Sequence, residues 1–335
     1  MFLVPAEIVL SPYSFFNKHM GGAEMLLKTI LKNKKDKQII SVASKYVIPN
    51  YVNNEKQIYG TTQQIQSEVS ELYGFSFTKE HVKKDVIRLK KIIVNLEEHF
   101  YTGKFCGIGD KYGCPSECHS EGCTSCISVQ KTIQLKGSNT LAAKFMKEVT
   151  TNYKWNSKMR FNWACESRIK AKFYEYKNIM LPYFSDASHY TIDELYFLLS
   201  LAFKHYTANF CFLAKGIDKF YKKFTIVQNM LMDEGIDVRA FNNLYIGTSV
   251  ELSKYQYRID SLRKFINIKK FVQFKPLLGP IINPDLSGMT MCSISKERIQ
   301  NNKYAGRARS CNMKWVSDLM YDGERQKIRM FYDKT

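Results

Sequence analysis

The chain carries nine cysteines, and four of them, Cys114, Cys118, Cys123 and Cys126, fall in the stretch KYGCPSECHSEGCTSCIS at 111–128. Glycines, a proline, serines and His119 surround them, a composition that makes a loop rather than a helix or strand. Thiols at this density allow three chemistries. They can pair as disulfides. Four thiolates can surround tetrahedral zinc, with His119 able to replace one of them. Three can hold three irons of a [4Fe–4S] cluster and leave the fourth iron open.

Disulfides fit worst. The apolar start, MFLVPAEIVLSPYSFF, is interrupted by Pro5 and Glu7 and lacks the basic leader of a signal peptide. No apolar run approaches the about 18 residues that a spanning helix needs. The expectation is a cytoplasmic protein with no membrane partner, where disulfides are rare. An odd cysteine count also argues against a complete disulfide framework. A metal site remains, and the gaps of three, four and two residues within the loop suit zinc as well as iron and sulfur. The other five, Cys106, Cys165, Cys211, Cys292 and Cys311, read as small buried residues.

The formal charge is +19, from 50 basic and 31 acidic side chains. An excess of this size concentrates phosphate around the protein, so nucleic acid, DNA or RNA, is the expected partner; a merely Lys-rich composition is the alternative. The oligomeric state is not legible.

Two regions must position these residues. In the first, residues 1–105, Ile65, Val69 and Leu72 recur at helical spacing, Gly74 breaks the pattern, and Thr78 can cap a second helix bearing Val82, Val86, Leu89 and Ile93. This predicts a mainly helical N-terminal domain with a helix-turn-helix at 61–93, or else an ordinary helical hairpin. As a DNA reader it would turn Lys79, His81, Lys83 and Lys84 to the groove. The second region, 106–335, opens with the cysteine loop at 106–130. Helical patterns at 191–206, 255–266 and 313–326 then alternate with strand-like segments at 209–215, 243–251, 269–281, 289–295 and 327–333. Such alternation predicts an α/β fold with a parallel sheet, a full or partial (β/α) barrel. In such a barrel the chemistry lies where strands end, which singles out Lys215, Thr248, Ser249, Glu251 and Lys275. His189 and His205 read as structural, and Tyr245, Phe271, Phe274 and Phe331 as strand core.

Several motifs in this second region are similar, in order, to the three-Cys-motif family of phage and bacterial proteins, which resemble radical-SAM enzymes. They are the strand end Gly247, Thr248, Ser249, Val250, Glu251; the run Pro276, Leu277, Leu278, Gly279, Pro280; Ala308 and Arg309 followed by the Trp315 helix; Asp186; Lys215; and, in the loop, Gly113, Cys114, Ser120, Gly122, Cys123 and Cys126. The likeness covers about 107–335. The chain departs from the family pattern at Lys275, which replaces a glutamate, at CSISKER (292–298), at Ile127, and in the extra Cys118. The resemblance implies a barrel of radical-SAM type. It also implies a [4Fe–4S] cluster on Cys123, Cys126 and either Cys114 or Cys118, with S-adenosylmethionine on the open iron as the source of a 5′-deoxyadenosyl radical. Lys215, Thr248, Ser249, Glu251 and Arg309 would then contact the cofactor. The alternative is a non-catalytic DNA-binding regulator or phage accessory protein with structural zinc in the loop.

Overall fold

The computed structural model describes residues 100–101, 105–114, 140–151, 154–173, 177–205, 208–234, 236–241, 243–296 and 309–333, with Ser67. The chain divides into two compact units, Met1–Ile92 and Ile93–Thr335. Apart from Ser67, every described residue belongs to the second. The helix-turn-helix expectation at 61–93, with Lys79, His81, Lys83 and Lys84, lies outside the described residues. So do Cys118, Cys123 and Cys126.

The second unit begins with β1 (Phe105–Gly107) and the short β2 (Lys111–Tyr112). A small insertion follows, made of α1 (Leu141–Val149), β3 (Thr150–Thr151), β4 (Lys154–Trp155), β5 (Arg160–Phe161) and α2 (Cys165–Phe173). Thr140 caps α1 by accepting from the Ala143 amide, and Ala143, Met146 and Val149 form its buried stripe.

Next comes β6 (Asn178–Leu181), a short 3₁₀ turn at Ala187–His189, and α3 (Ile192–Lys204). Thr191 and Glu194 start α3 with a reciprocal capping box. After β7 (Asn209–Leu213), α4 (Ile217–Asp233) buries Phe220, Phe224, Val227 and Leu231, one face at helical spacing. The chain closes with β8 (Leu244–Ser249), α5 (Tyr257–Leu262), β9 (Lys269–Phe274), β10 (Met291–Ser295), α6 (Met313–Arg325) and β11 (Arg329–Asp333). At Gly323 on α6 an added Cβ would come within 2.1 Å of Met330, so helix and final strand meet at a residue without a side chain.

Seven strands form one parallel sheet in the order β1-β6-β7-β8-β9-β10-β11. Successive parallel neighbours joined by crossovers of one hand put their helices on one face. The other face must also leave water, and the sheet meets that need by curling into a half-barrel. The expected barrel is thus a partial one.

Alternation along the strands divides the core accordingly. Phe210, Phe212, Leu244, Ile246, Val272, Phe274 and Ile294 join the helices in the large cluster. Cys211, Tyr245, Phe271 and Met291 form a second cluster with Phe100, whose ring stacks 3.7 Å from that of Tyr245. Burial of Tyr245, Phe271 and Phe274 bears out their reading as core, but Phe331 is 37% exposed because β11 is the edge of the sheet. The helix expected over 255–266 is shorter and is preceded by a 3₁₀ turn at Ser253–Tyr255. The strand and turn expected over 269–281 divide at Phe274, before the cis peptide Lys275–Pro276.

Candidate functional site

Lys215 follows β7 by two residues and Glu251 follows β8 by two. Lys215 Nζ lies 2.6 Å from Glu251 Oε1. The second oxygen of Glu251 accepts from Arg258 on α5 at 3.1 Å, and the Glu251 side chain is fully buried. Arg258 also donates to the Ser249 carbonyl at 2.7 Å, and its guanidinium lies 4.1 Å from the Tyr255 ring centroid. One buried carboxylate therefore holds two cations where two strands end. A buried charge needs such partners, since desolvating it alone costs several kcal/mol.

The run 276–280 fixes this end of the sheet. The Leu278 amide donates to the Glu251 carbonyl at 3.0 Å, the Leu277 amide donates to Ser295 O at 3.0 Å, and Ser253 Oγ donates to Pro280 O at 2.6 Å. These backbone bonds tie the ends of β8 and β10 together beneath the ion pairs.

Asp186 links the next strand end. Its Oδ1 accepts from the Ser188 amide at 2.9 Å, capping the 3₁₀ turn, and its Oδ2 accepts from the Lys215 amide at 2.6 Å. That turn carries His189, whose Nε2 lies 3.5 Å from Cys114 Sγ. Cys114 is buried, and it is held from behind. Gly113 adopts φ +95° with its carbonyl accepting from Ser185 Oγ at 2.6 Å, and a Cβ on it would come within 2.2 Å of Lys158 O. Only glycine fits such a place without strain. Burial holds the His189 imidazole below its usual pKa; Asp186 opposes this, and Lys219, Lys223 and Lys111 add to it. His189 is therefore mostly neutral at pH 7, the form that can ligate a metal.

Behind the turn lies a buried polar layer. Lys111 and Glu194 pair at 2.6 Å with both side chains almost wholly buried. Asp110 accepts from Tyr190 Oη and is fully buried, which pushes its carboxyl up to about 7. Its backbone carbonyl accepts from the Asn162 amide at 2.7 Å. This layer joins the segment leading to Cys114 to α3.

Of the strand-end residues expected, the structure brings Lys215, Ser249 and Glu251 together, and Asp186, which the resemblance supplied, joins them through the Lys215 amide. Thr248 faces the other way: its hydroxyl donates to Ala214 O at 2.6 Å and bridges β7 to β8. Arg309 is exposed, ahead of α6. Three residues of the site carried no legible signal. Arg258 reads as one basic position in an amphipathic segment, His189 reads as structural, and Asp110 sits in a glycine-rich run. Among the described residues no three metal-type side chains converge, and Cys114 is the one loop cysteine they include. Cys165, Cys211 and Cys292 are buried as expected, whereas Cys106 and Cys311 are half-buried. Among the described residues no helix is long and apolar enough to cross a membrane.

Fold and site together define a parallel α/β half-barrel with an ionic cluster at its strand ends and a cysteine at its rim. A family model described as "Protein of unknown function (DUF5131)" matches residues 110–335, and the chain belongs to that family. No curated protein and no solved structure matches it.

Proposed function

We propose that the protein is a radical-SAM-like enzyme, or a descendant of one, acting on nucleic acid or a nucleotide. One observation supports this most: an unbroken run of contacts from the first cysteine of the loop to the strand-end ions. Cys114 touches His189, the turn bearing His189 is capped by Asp186, Asp186 holds the Lys215 amide, and Lys215 pairs with Glu251. A cofactor spanning a loop-held metal and the sheet interior would lie along that run.

The donor set fits. Cys114 offers a buried thiol, and Cys118, Cys123 and Cys126 follow within twelve residues of sequence. Cys123, Cys126 and Cys114 or Cys118 would hold a [4Fe–4S] cluster; with S-adenosylmethionine bound, that centre supplies one-electron chemistry and hydrogen abstraction. The chain's own residues bind and orient. Lys215 is suited to the cofactor carboxylate, and Glu251 to its ammonium or ribose hydroxyls. Arg258 holds the Glu251 carboxylate in place, and Phe100, Tyr245 and Phe271 keep water from the lower half of the sheet's inner face.

The Cys114–His189 contact favours a second reading, a non-catalytic DNA-binding protein with structural zinc, because thiolate and neutral imidazole are zinc's ordinary ligands. Anaerobic purification separates the two. The enzyme reading expects brown protein that absorbs near about 400 nm, as such clusters do, and cleaves S-adenosylmethionine on reduction. Colourless protein with one zinc per chain overturns it.

A further inference from the structure

A band of cations, exposed except for the half-buried Lys223, flanks the stem of the cysteine loop. On α1, Lys144 and Lys147 are exposed and three residues apart, so they share a face. Arg160 on β5 is tied to this helix through Glu148 Oε2 at 2.7 Å. Lys158, also exposed, belongs to the segment whose backbone packs directly on Gly113. Beyond Cys114 the band resumes on α4, where Lys219 and Lys223 bear electrostatically on His189 and on each other. Lys223 Nζ also donates to the Ser188 carbonyl at 3.0 Å, which draws it toward the turn that meets Cys114.

Among the described residues the nearby carboxylates pair with Arg160 and with no other member of the band. Glu148 serves Arg160, both oxygens of Asp186 accept backbone amides, and Glu194 is spent on buried Lys111. Trp163, 42% exposed, lies three residues past Arg160, with its ring 4.6 Å from that of Phe161. Cations in sequence along a path, with an exposed aromatic ring beside them, are what a single nucleic-acid strand requires. Its phosphates follow the charge and its bases stack on the ring.

We infer that Lys144, Lys147, Lys158, Arg160, Lys219 and Lys223 form a phosphate track that leads a single strand of nucleic acid past the cysteine-loop stem toward the strand ends. The track rests on the proposed function only for what the strand is brought to. It is separate from the groove-facing lysines expected at 79–84.

Fluorescence anisotropy with a labelled oligouridylate and a labelled oligodeoxythymidylate, between about 50 and 200 mM salt, tests the track and tells RNA from DNA. Binding should weaken steeply with salt. K144E/K147E and K158E/K219E change exposed side chains; each should weaken binding about tenfold or more and flatten the salt slope by about 0.7 per lost phosphate contact. Three results overturn the track: no binding at low salt, unchanged affinity in both double variants with loss only in K83E/K84E, or capture by phosphatidylserine vesicles but by neither oligonucleotide. Iron and zinc content measured on the same samples keeps the two ideas apart. Metal-free protein that binds oligonucleotide through the track sinks the enzyme reading alone, and brown protein with no oligonucleotide affinity sinks the track alone.

Discussion

Lys215 and Glu251 follow neighbouring strands, each two residues past its strand's end, and their side chains meet at 2.6 Å with Arg258 on the far side of the carboxylate. The three charges differ in what supports them. Glu251 is fully buried and Arg258 nearly so, while the Lys215 side chain is 26% exposed. Removing the carboxylate strands two cations, whereas removing the lysine leaves Glu251 its arginine.

Glu251→Gln is therefore expected to destabilise by about 3 kcal/mol or more, the usual cost of breaking a buried pair from one side. Lys215→Ala should cost well under half of that, because water already screens the lysine, yet it should abolish reductive cleavage of S-adenosylmethionine. Urea unfolding and a cleavage assay on both variants check the split. Equal destabilisation would show that Lys215 is as structural as Glu251.

The buried Asp110 sets a pH dependence. Folded, its carboxyl keeps a proton up to about 7. In the unfolded chain it loses the proton near about 4. The folded state thus binds more protons between these values, and its stability falls as pH rises through that window, levelling above about 7. His189 acts oppositely. Its folded pKa is depressed, so its contribution is full above the unfolded value of about 6.5 and declines as pH falls toward the folded value. Comparing melting temperatures of wild type and Asp110→Asn at pH 5 and pH 8 cancels the histidine. The variant should lose less stability, or gain more, on going to pH 8; parallel behaviour would disprove the assignment.

Gly113→Ala forces a side chain into a left-handed backbone and against Lys158 O. Strain of this kind costs about 1–3 kcal/mol. The melting temperature should drop accordingly, and metal content should drop with it, since Cys114 is the next residue. A variant as stable as wild type would mean that the stem relaxes freely.

His189→Ala separates the metals. If thiolates alone hold an iron–sulfur cluster, iron and sulfide per chain stay unchanged in anaerobic protein. If zinc uses this imidazole, zinc content falls to a small fraction of wild type. Elemental analysis of both proteins, beside Cys123→Ala/Cys126→Ala as the metal-free reference, decides between them.

The strand-end site was legible because its elements are regular. β7 to β11 show clean alternation of apolar patterns, and a charged residue just past a buried strand is a local signal, which is how Lys215 and Glu251 stand out. Thr248 misled for the same reason: adjacency in sequence puts it near the site, but the two-residue period of a strand turns it to the opposite face. The insertion at 140–173 was illegible because its strands are two residues long, too short for any period to register. Arg258 and Lys111 gain their meaning from partners 7 and 83 residues away. Nothing in a single sequence announces such pairs. His189 looked ordinary because its partner, Cys114, is 75 residues distant.

The two outer strands of the sheet, β1 and β11, lie at opposite ends of its order, yet the Arg329 guanidinium sits 3.9 Å from the ring centroid of Tyr101, four residues before β1. Arg329 is the first residue of β11, so this contact spans the arc at the base, away from the ionic cluster. The start of β11 is thus tied to the segment ahead of β1 by a cation on an aromatic face. One residue before Tyr101, Phe100 rests on Tyr245 and Phe271 in the middle strands, so the pair of rings acts as a floor that props the arc from below at its centre and at its last strand.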